Sequence, residues 1–340
     1  MDVAAFAYEL PDGSIAQTPI EPRDRARLLV DRGPGEAPEH RTVADLPAFV
    51  RRGDVVVVNT TRVLPARLRL RKPTGGAVEV LLLERLRNGE WEALVRPSRK
   101  VPPGFELAAG ADLSVRFGGA GPGEGTRLVE LRTGGAVDEL AVLDHHGVVP
   151  LPPYITNELA DPERYQTVFA DRPGSVAAPT AGLHLTPAVI AGCRTGGARV
   201  ETVDLVVGIG TFRPISAQKV EDHHMHAEHY RVPAGTLAAC EAARATGGRV
   251  VAVGTTTVRA LESAALSGQL EGRTELFIRR PWRWRVVDVL LTNFHLPRSS
   301  LLVLVDAFVG PRWRDLYDDA LAAGYRFLSF GDAMLLERSL

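Results

Sequence analysis

Cysteine is scarce: Cys193 and Cys240 are the two in 340 residues, and neither stands in a paired motif. That excludes a disulfide framework or a cysteine-ligated zinc site and fits a reducing compartment. An excess of charge of one sign is lacking too. Forty Lys and Arg face 41 Asp and Glu, for a formal net charge of −1. Any nucleic-acid partner must therefore be met by a local patch, because no global basic field exists. Apolar runs such as 301–309 (LLVLVDAFV) stop well short of the ~20 residues that span a bilayer. The opening residues, MDVAAFAYELPDGS, carry no basic-then-apolar signal pattern. The expectation is a cytoplasmic monomer with no membrane partner.

What is present supports a large core. Hydrophobic residues make up 45% of the chain, enough for one large or two ordinary domains. Residues 54–58 (DVVVV) read as a short buried strand. From 65 to 150 the character is β-rich. AVEVLLLERL and EWEALVRP flank Asn88-Gly89 as a hairpin, and ADLSVRF and TRLVELRT flank a Gly-rich tip over 118–125. From 151 onwards strands alternate with helices. TPAVIAGCRTGG predicts a helix before a strand over 199–207, and AGTLAACEAARATGG predicts another before RVVAVG. The predicted fold class is an α/β main domain (1–64 and 151–340) with an inserted small antiparallel β-barrel-like domain (65–150).

Several segments carry chemistry-bearing residues. In 165–186 (YQTVFADRPGSVAAPTAGLHLT), Ala177, Ala178 and Pro179 end the strand character, Gly182 permits a tight turn, and His184 brings a titratable ring. A pocket wall and a tight inter-element turn both fit. AVGTTTVRALES places Gly254, Thr255 and Thr256 ahead of a helix beginning near Val258, which suits an oxygen-rich ligand or simple threonine capping. Arg259 and Glu262 share a face of that helix and can pair across it. VVGIGTF supplies Gly208, Gly210 and Thr211, either a nucleotide-type turn or a bulge. EDHHMHAEHY holds four histidines, at 223, 224, 226 and 229, but no H-E-x-x-H signature, so no metal is expected. LLTNFHLPRSS puts Thr292, Asn293 and His295 at a strand's end, to read a base or ribose edge or to support the loop, with Phe294 offering a stacking face. NTTRVLPARL offers Asn59, Thr61 and Arg62. The local basic clusters are Arg96, Arg99 and Lys100, and RRPWRWR, where Arg283 and Arg285 alternate with Trp282 and Trp284.

Taken together and in order, with FAYELPDGSIAQTPIEPRDRARLLV at the start and YRFLSFGDAM near the end, these strings resemble one family nearly end to end. It is the S-adenosylmethionine:tRNA ribosyltransferase-isomerase (QueA) family of queuosine biosynthesis. The resemblance implies that S-adenosyl-L-methionine acts as co-substrate and ribosyl donor. The acceptor it implies is tRNA bearing 7-aminomethyl-7-deazaguanine, with adenine and methionine released and epoxyqueuosine formed. It also implies that His223, Met225, His226 and Glu228 line the site without metal. His184, His226 and Glu228 are then the proton-transfer candidates. Tyr165, Gln166, Ala178, Pro179, Thr180, Gly182, Gly254, Arg259 and the residues named above surround the donor. The chain departs from the family pattern at Asn157, Asp204, Val206 and 279–282. These departures keep a non-tRNA amine acceptor, or a non-catalytic RNA-binding role, as alternatives. An ordinary methyltransferase is the third, distinguished by S-adenosylhomocysteine as product.

Overall fold

The computed structural model describes residues 1–135, 138–208 and 214–338. Its chain divides into two compact units. The first comprises Met1–Thr61, Pro153–Arg172 and Ala178–Leu340, and the second Arg62–Pro152 and Pro173–Ala177.

In chain order the first unit opens with strands β1 (Arg27–Asp31), β2 (Glu39–Thr42) and β3 (Val55–Asn59). Every residue of β3 is buried, and burying each valine contributes about 1.5–3 kcal/mol. Strand β4 (Thr61–Val63) leads into the second unit. There β5 (Arg67–Arg71), β6 (Ala77–Arg85), β7 (Trp91–Arg96), β8 (Glu106–Ala108), β9 (Leu113–Ala120) and β10 (Arg127–Thr133) form one antiparallel sheet, ordered β5-β6-β7-β10-β9-β8. Its end strands β5 and β8 approach one another, so the sheet is nearly closed. The alternating burial of β6 and β7 turns one face onto a core of Val80, Leu82, Ala93 and Val115.

Two local expectations for this segment change. The Gly-rich tip is shorter than 118–125, because β9 continues through Gly118 and Gly119 to Ala120. The segment also contains a helix, α1 (Glu139–His146), capped by Asp138. Its apolar residues show almost no one-sided pattern, so periodicity gave no sign of it.

After β11 (Arg172–Ser175) the first unit resumes with α2 (Pro187–Thr195), β12 (Arg199–Leu205), β13 (Glu228–Arg231), α3 (Ala234–Ala245), β14 (Val250–Val253), α4 (Thr255–Ser267), β15 (Glu271–Thr274), β16 (Val289–Asn293), α5 (Ser300–Val309), α6 (Trp313–Ala322) and β17 (Ala333–Glu337). Strand β12 ends at Leu205, short of the expected 207. The mixed nine-stranded sheet runs β15-β13-β12-β3-β14-β16-β17-β1-β2. Strands β12, β3, β14 and β16 are mutually parallel neighbours. Their carboxyl ends, at Leu205, Asn59, Val253 and Asn293, therefore reach the same edge. Beyond β12 the chain turns outward to β13 and then returns to β14 on the other side of β3. In open α/β sheets that reversal is where ligands bind. Among the described residues no helix is long and apolar enough to cross a membrane.

Candidate functional site at the carboxyl edge of the mixed sheet

Residues 180–184 form a short 3-10 helix, Thr180–His184, following Pro179, which supplies a fixed φ and no amide hydrogen. At Gly182 a Cβ would meet Phe169 Cζ at 2.8 Å and Thr167 Cγ2 at 3.0 Å, so those side chains would have to shift to admit one. This helix brings His184 to the end of β16. Asn293 Nδ2 lies 3.0 Å from His184 Nε2 and donates to the Leu328 carbonyl at 3.2 Å. Thr180 Oγ1 donates to Asn293 Oδ1 at 2.9 Å. Burial holds the His184 pKa down at about 4. Leu328 carries a positive φ of 67°, a costly conformation for a non-glycine residue that directs its carbonyl at Asn293.

Two clefts adjoin this triad. Tyr154, Thr180, Asn293, His295 and Ser329 line the first, together with Leu296, Leu301 and Leu328. Arg23, Arg164, His184 and Ser329 line the second, a shallow one. Ser329 faces both and is hydrogen-bonded to the Tyr154 hydroxyl at 2.7 Å. His295 is buried, its pKa held down at about 3 by that burial, and its Nε2 lies 3.0 Å from Thr292 Oγ1. The Tyr165 side chain is fully buried next to the Phe330 ring, and among the described residues the buried Thr167 hydroxyl has no hydrogen-bond partner.

A second cluster surrounds α4. Gly254, with φ of 90°, is its N-cap, so the helix starts at Thr255 instead of near Val258 and no threonine caps it. Thr257 Oγ1 turns back to the Val253 carbonyl at 2.7 Å. Asn59 Nδ2 donates to the Leu205 carbonyl at 3.0 Å and to Thr256 Oγ1 at 3.3 Å. Its Oδ1 accepts from the Thr61 and Leu205 amides. Asn59 thus pins β3 to β12 and to the first turn of α4.

Arg259 does not pair with Glu262. The buried Arg259 guanidinium meets the buried Glu228 carboxylate, whose other oxygen accepts from the Gly208 amide at 3.1 Å. Burial lowers the Arg259 pKa to about 10. Glu262 instead accepts from the amides of Arg285, Val286 and Val287 and from the Trp282 indole. Both charges of the helix need such partners because α4 is buried over its first ten residues.

The family model described as Queuosine biosynthesis protein matches residues 3–336. The chain belongs to the queuosine biosynthesis protein family. A relative from Moorella thermoacetica named S-adenosylmethionine:tRNA ribosyltransferase-isomerase is 50% identical over 343 residues, covering 99% of this chain and 100% of its own length. Relatives of the same name from Thermotoga maritima and Thermus thermophilus are 48% and 50% identical, covering 99% and 98% of this chain and 100% and 98% of their own. A crystal structure of S-adenosylmethionine tRNA ribosyltransferase from Thermotoga maritima matches at 38% identity with a TM-score of 0.56. It covers 97% of this chain and 99% of that one.

Within this queuosine-family chain, the structure groups His184, Thr180, Asn293 and His295 around the two clefts, with Thr292 hydrogen-bonded to His295. Gln166 enters through its backbone, since its carbonyl accepts from Arg23. Tyr165, Ala178 and Gly182 are buried beside the same 3-10 helix. Asn59, Thr61, Gly208, Glu228, Gly254, Thr255, Thr256 and Arg259 form the neighbouring α4 cluster. His226 is exposed, and His223 is half-buried with its ring 5.3 Å from that of Phe277. Gly210 and Thr211 lie outside the described residues.

Arg62 belongs to the second unit, as do the exposed Arg96, Arg99 and Lys100. In RRPWRWR, Arg283 is exposed, and Arg285 stacks over Trp282 at 5.7 Å. The indole N–H of Trp282 is held by Glu262, and that of Trp284 by the Ala307 carbonyl. Phe294 offers no stacking face. It is fully buried against Tyr317, Tyr325 and Phe327.

Sequence reading missed Tyr154, Ser329 and Arg23 as cleft residues. Arg23 and Ser329 stand in strings that carried the family resemblance and Tyr154 in none, and no one of the three has a spacing of its own that marks a site. Of the departures, Asp204 accepts from Thr60 Oγ1 at 2.6 Å and pairs with Arg172, and Asn157 is exposed.

Proposed function

We propose that this protein is an S-adenosylmethionine:tRNA ribosyltransferase-isomerase. It moves and rearranges the ribosyl portion of S-adenosylmethionine onto 7-aminomethyl-7-deazaguanine in the wobble position of tRNA. One observation carries this reading: about half of all residues are shared, end to end, with relatives of that name. The site is chemically suited to it. The Tyr154, Thr180 and Ser329 hydroxyls, the Asn293 amide and the Arg23 guanidinium line two adjoining clefts. The donor supplies a sulfonium that acidifies its neighbouring carbon, and adenine as leaving group.

This chain's own residues then have distinct tasks. His184 is neutral and positions through its Nδ1–H, since Nε2 already accepts from Asn293. Glu228, neutralised by Arg259, fixes the Gly208 amide, and His226 is the solvent-exposed imidazole of the set. Gly254, Thr255 and Thr256 present the start of α4 to the donor. Residues 65–150 act as an inserted barrel-like domain whose exposed Arg96, Arg99 and Lys100 meet the tRNA backbone, with Arg283 and Arg285 doing so from the main domain. A tRNA acceptor places this work in the cytoplasm.

The test is turnover of purified protein with S-adenosylmethionine and tRNA carrying the aminomethyl base. Adenine and methionine are expected in equal amounts, and only when that tRNA is present. Release of S-adenosylhomocysteine instead would identify a methyltransferase.

A further inference from the structure

The second cleft contains two arginines in different states. Arg164 is already neutralised, its Nε 2.8 Å from Glu21 Oε1 and its Nη2 bonded to the Ile20 carbonyl. Arg23 has no such carboxylate among the described residues. Its two terminal nitrogens donate to the carbonyls of Gln166 and Glu163, which fix the guanidinium without cancelling its charge. Burial and the charge of Arg164 both disfavour the Arg23 cation, with Glu21, Asp161 and Glu163 offsetting part of this through space. Of the two guanidiniums lining this cleft, Arg23 is therefore the oriented one without an ion-pair partner among the described residues, across Ser329 from a cleft that presents the Tyr154 and Thr180 hydroxyls and the Asn293 amide.

We infer that the Arg23 cleft is the subsite for the carboxylate of the donor's amino-acid portion, with Ser329 under the junction where the donor passes from one cleft to the other. The inference rests on the reading of S-adenosylmethionine as donor. One small molecule combining a nucleoside with a carboxylate matches a hydroxyl-lined cleft joined to a cationic one. An RNA backbone presents successive phosphates and is normally met by several unpaired cations, whereas here Arg164 is spent on Glu21.

The test is calorimetric binding of S-adenosylmethionine and of its decarboxylated analogue to the full chain and to Arg23→Gln. The unaltered protein is expected to bind the decarboxylated ligand more weakly by on the order of 10- to 100-fold, the span of a hydrogen bond to a charged group. Arg23→Gln is expected to lose that factor for S-adenosylmethionine and leave the analogue unchanged. Arg23→Lys, which keeps the charge if loss of the guanidinium impairs folding, is expected to retain discrimination between the two ligands.

Equal weakening of both ligands by Arg23→Gln would overturn the inference in favour of a structural role. Absence of discrimination by the unaltered protein would place the carboxylate elsewhere. A raised KM for tRNA with donor binding untouched would make Arg23 a phosphate contact and overturn it as well. Failure of the unaltered protein to bind S-adenosylmethionine at all would overturn the donor reading itself, which separates the two failures.

Discussion

Asn293 Nδ2 faces both the Leu328 carbonyl, at 3.2 Å, and His184 Nε2, at 3.0 Å. A carbonyl only accepts, so the amide nitrogen must be the atom beside it, and the same nitrogen donates to the imidazole. Thr180 Oγ1 on the amide oxygen agrees with this orientation. His184 is thereby assigned the neutral form with its proton on Nδ1.

Nitrogen-15 NMR of labelled imidazoles should find His184 as the Nδ1–H tautomer at pH 7. Asn293→Asp offers only acceptors at that position, so it should move the proton to Nε2 and raise the His184 pKa. Turnover should fall by roughly 100-fold or more, the usual span of proton-transfer and orienting groups. An unchanged tautomer in the variant would contradict the assignment.

Acid should destabilise the protein through two histidines. Burial holds His184 near 4 and His295 near 3, against 6.5 for a free imidazole. Between those values the unfolded chain binds protons that the folded chain refuses. Their contribution is complete above pH 6.5 and is lost as the pH falls through 6.5 towards 4. Urea midpoints measured across that range should decline steadily, and His295→Gln should flatten the decline if it folds. Midpoints independent of pH over this range would refute the depressed values.

The Glu228–Arg259 pair should behave as a buried couple. Glu228→Gln leaves an uncompensated guanidinium and should cost about 3–5 kcal/mol. Adding Arg259→Met should recover much of that loss, because no buried charge remains. A double-mutant cycle in denaturant reads the coupling, and additive losses would show the two side chains to be independent.

The sheet-forming strings were the most legible part of the chain. DVVVV and RVVAVG read as strands and are fully buried ones, while their parallel pairing with each other is seen only in the fold. The hairpin at Asn88-Gly89 was equally plain, with Gly89 at a φ of 87°. Partner choice was not legible. Arg259 and Glu262 stand three apart on α4 and invite pairing, yet tertiary folding brings Glu228 to the one and the 285–287 amides to the other. Phe294 read as an exposed stacking ring because a strand's end gives no hint of the aromatic cluster packed over it. Ser329 and Arg23 lie more than 300 residues apart in sequence, and only the fold sets them in one cleft.

Gly182→Ala should be costly out of proportion to a methyl group. The added carbon would press on Phe169 Cζ and Thr167 Cγ2, and overpacking of this kind costs typically about 1–3 kcal/mol. Phe169→Leu in the same chain should return part of the stability by opening the space. Thermal unfolding of the single and double variants decides it: a Gly182→Ala protein as stable as the parent would show that the 3-10 helix has room.

The most direct measurement follows the donor's ribose carbons. Protein, aminomethyl-deazaguanine tRNA and S-adenosylmethionine labelled with carbon-13 throughout the ribose are combined, and the tRNA nucleosides are analysed by mass spectrometry. All the labelled ribose carbons are expected on the modified nucleoside, with one adenine and one methionine released for each. Label retained in a small-molecule product, with only a methyl group or nothing added to the tRNA, would contradict it.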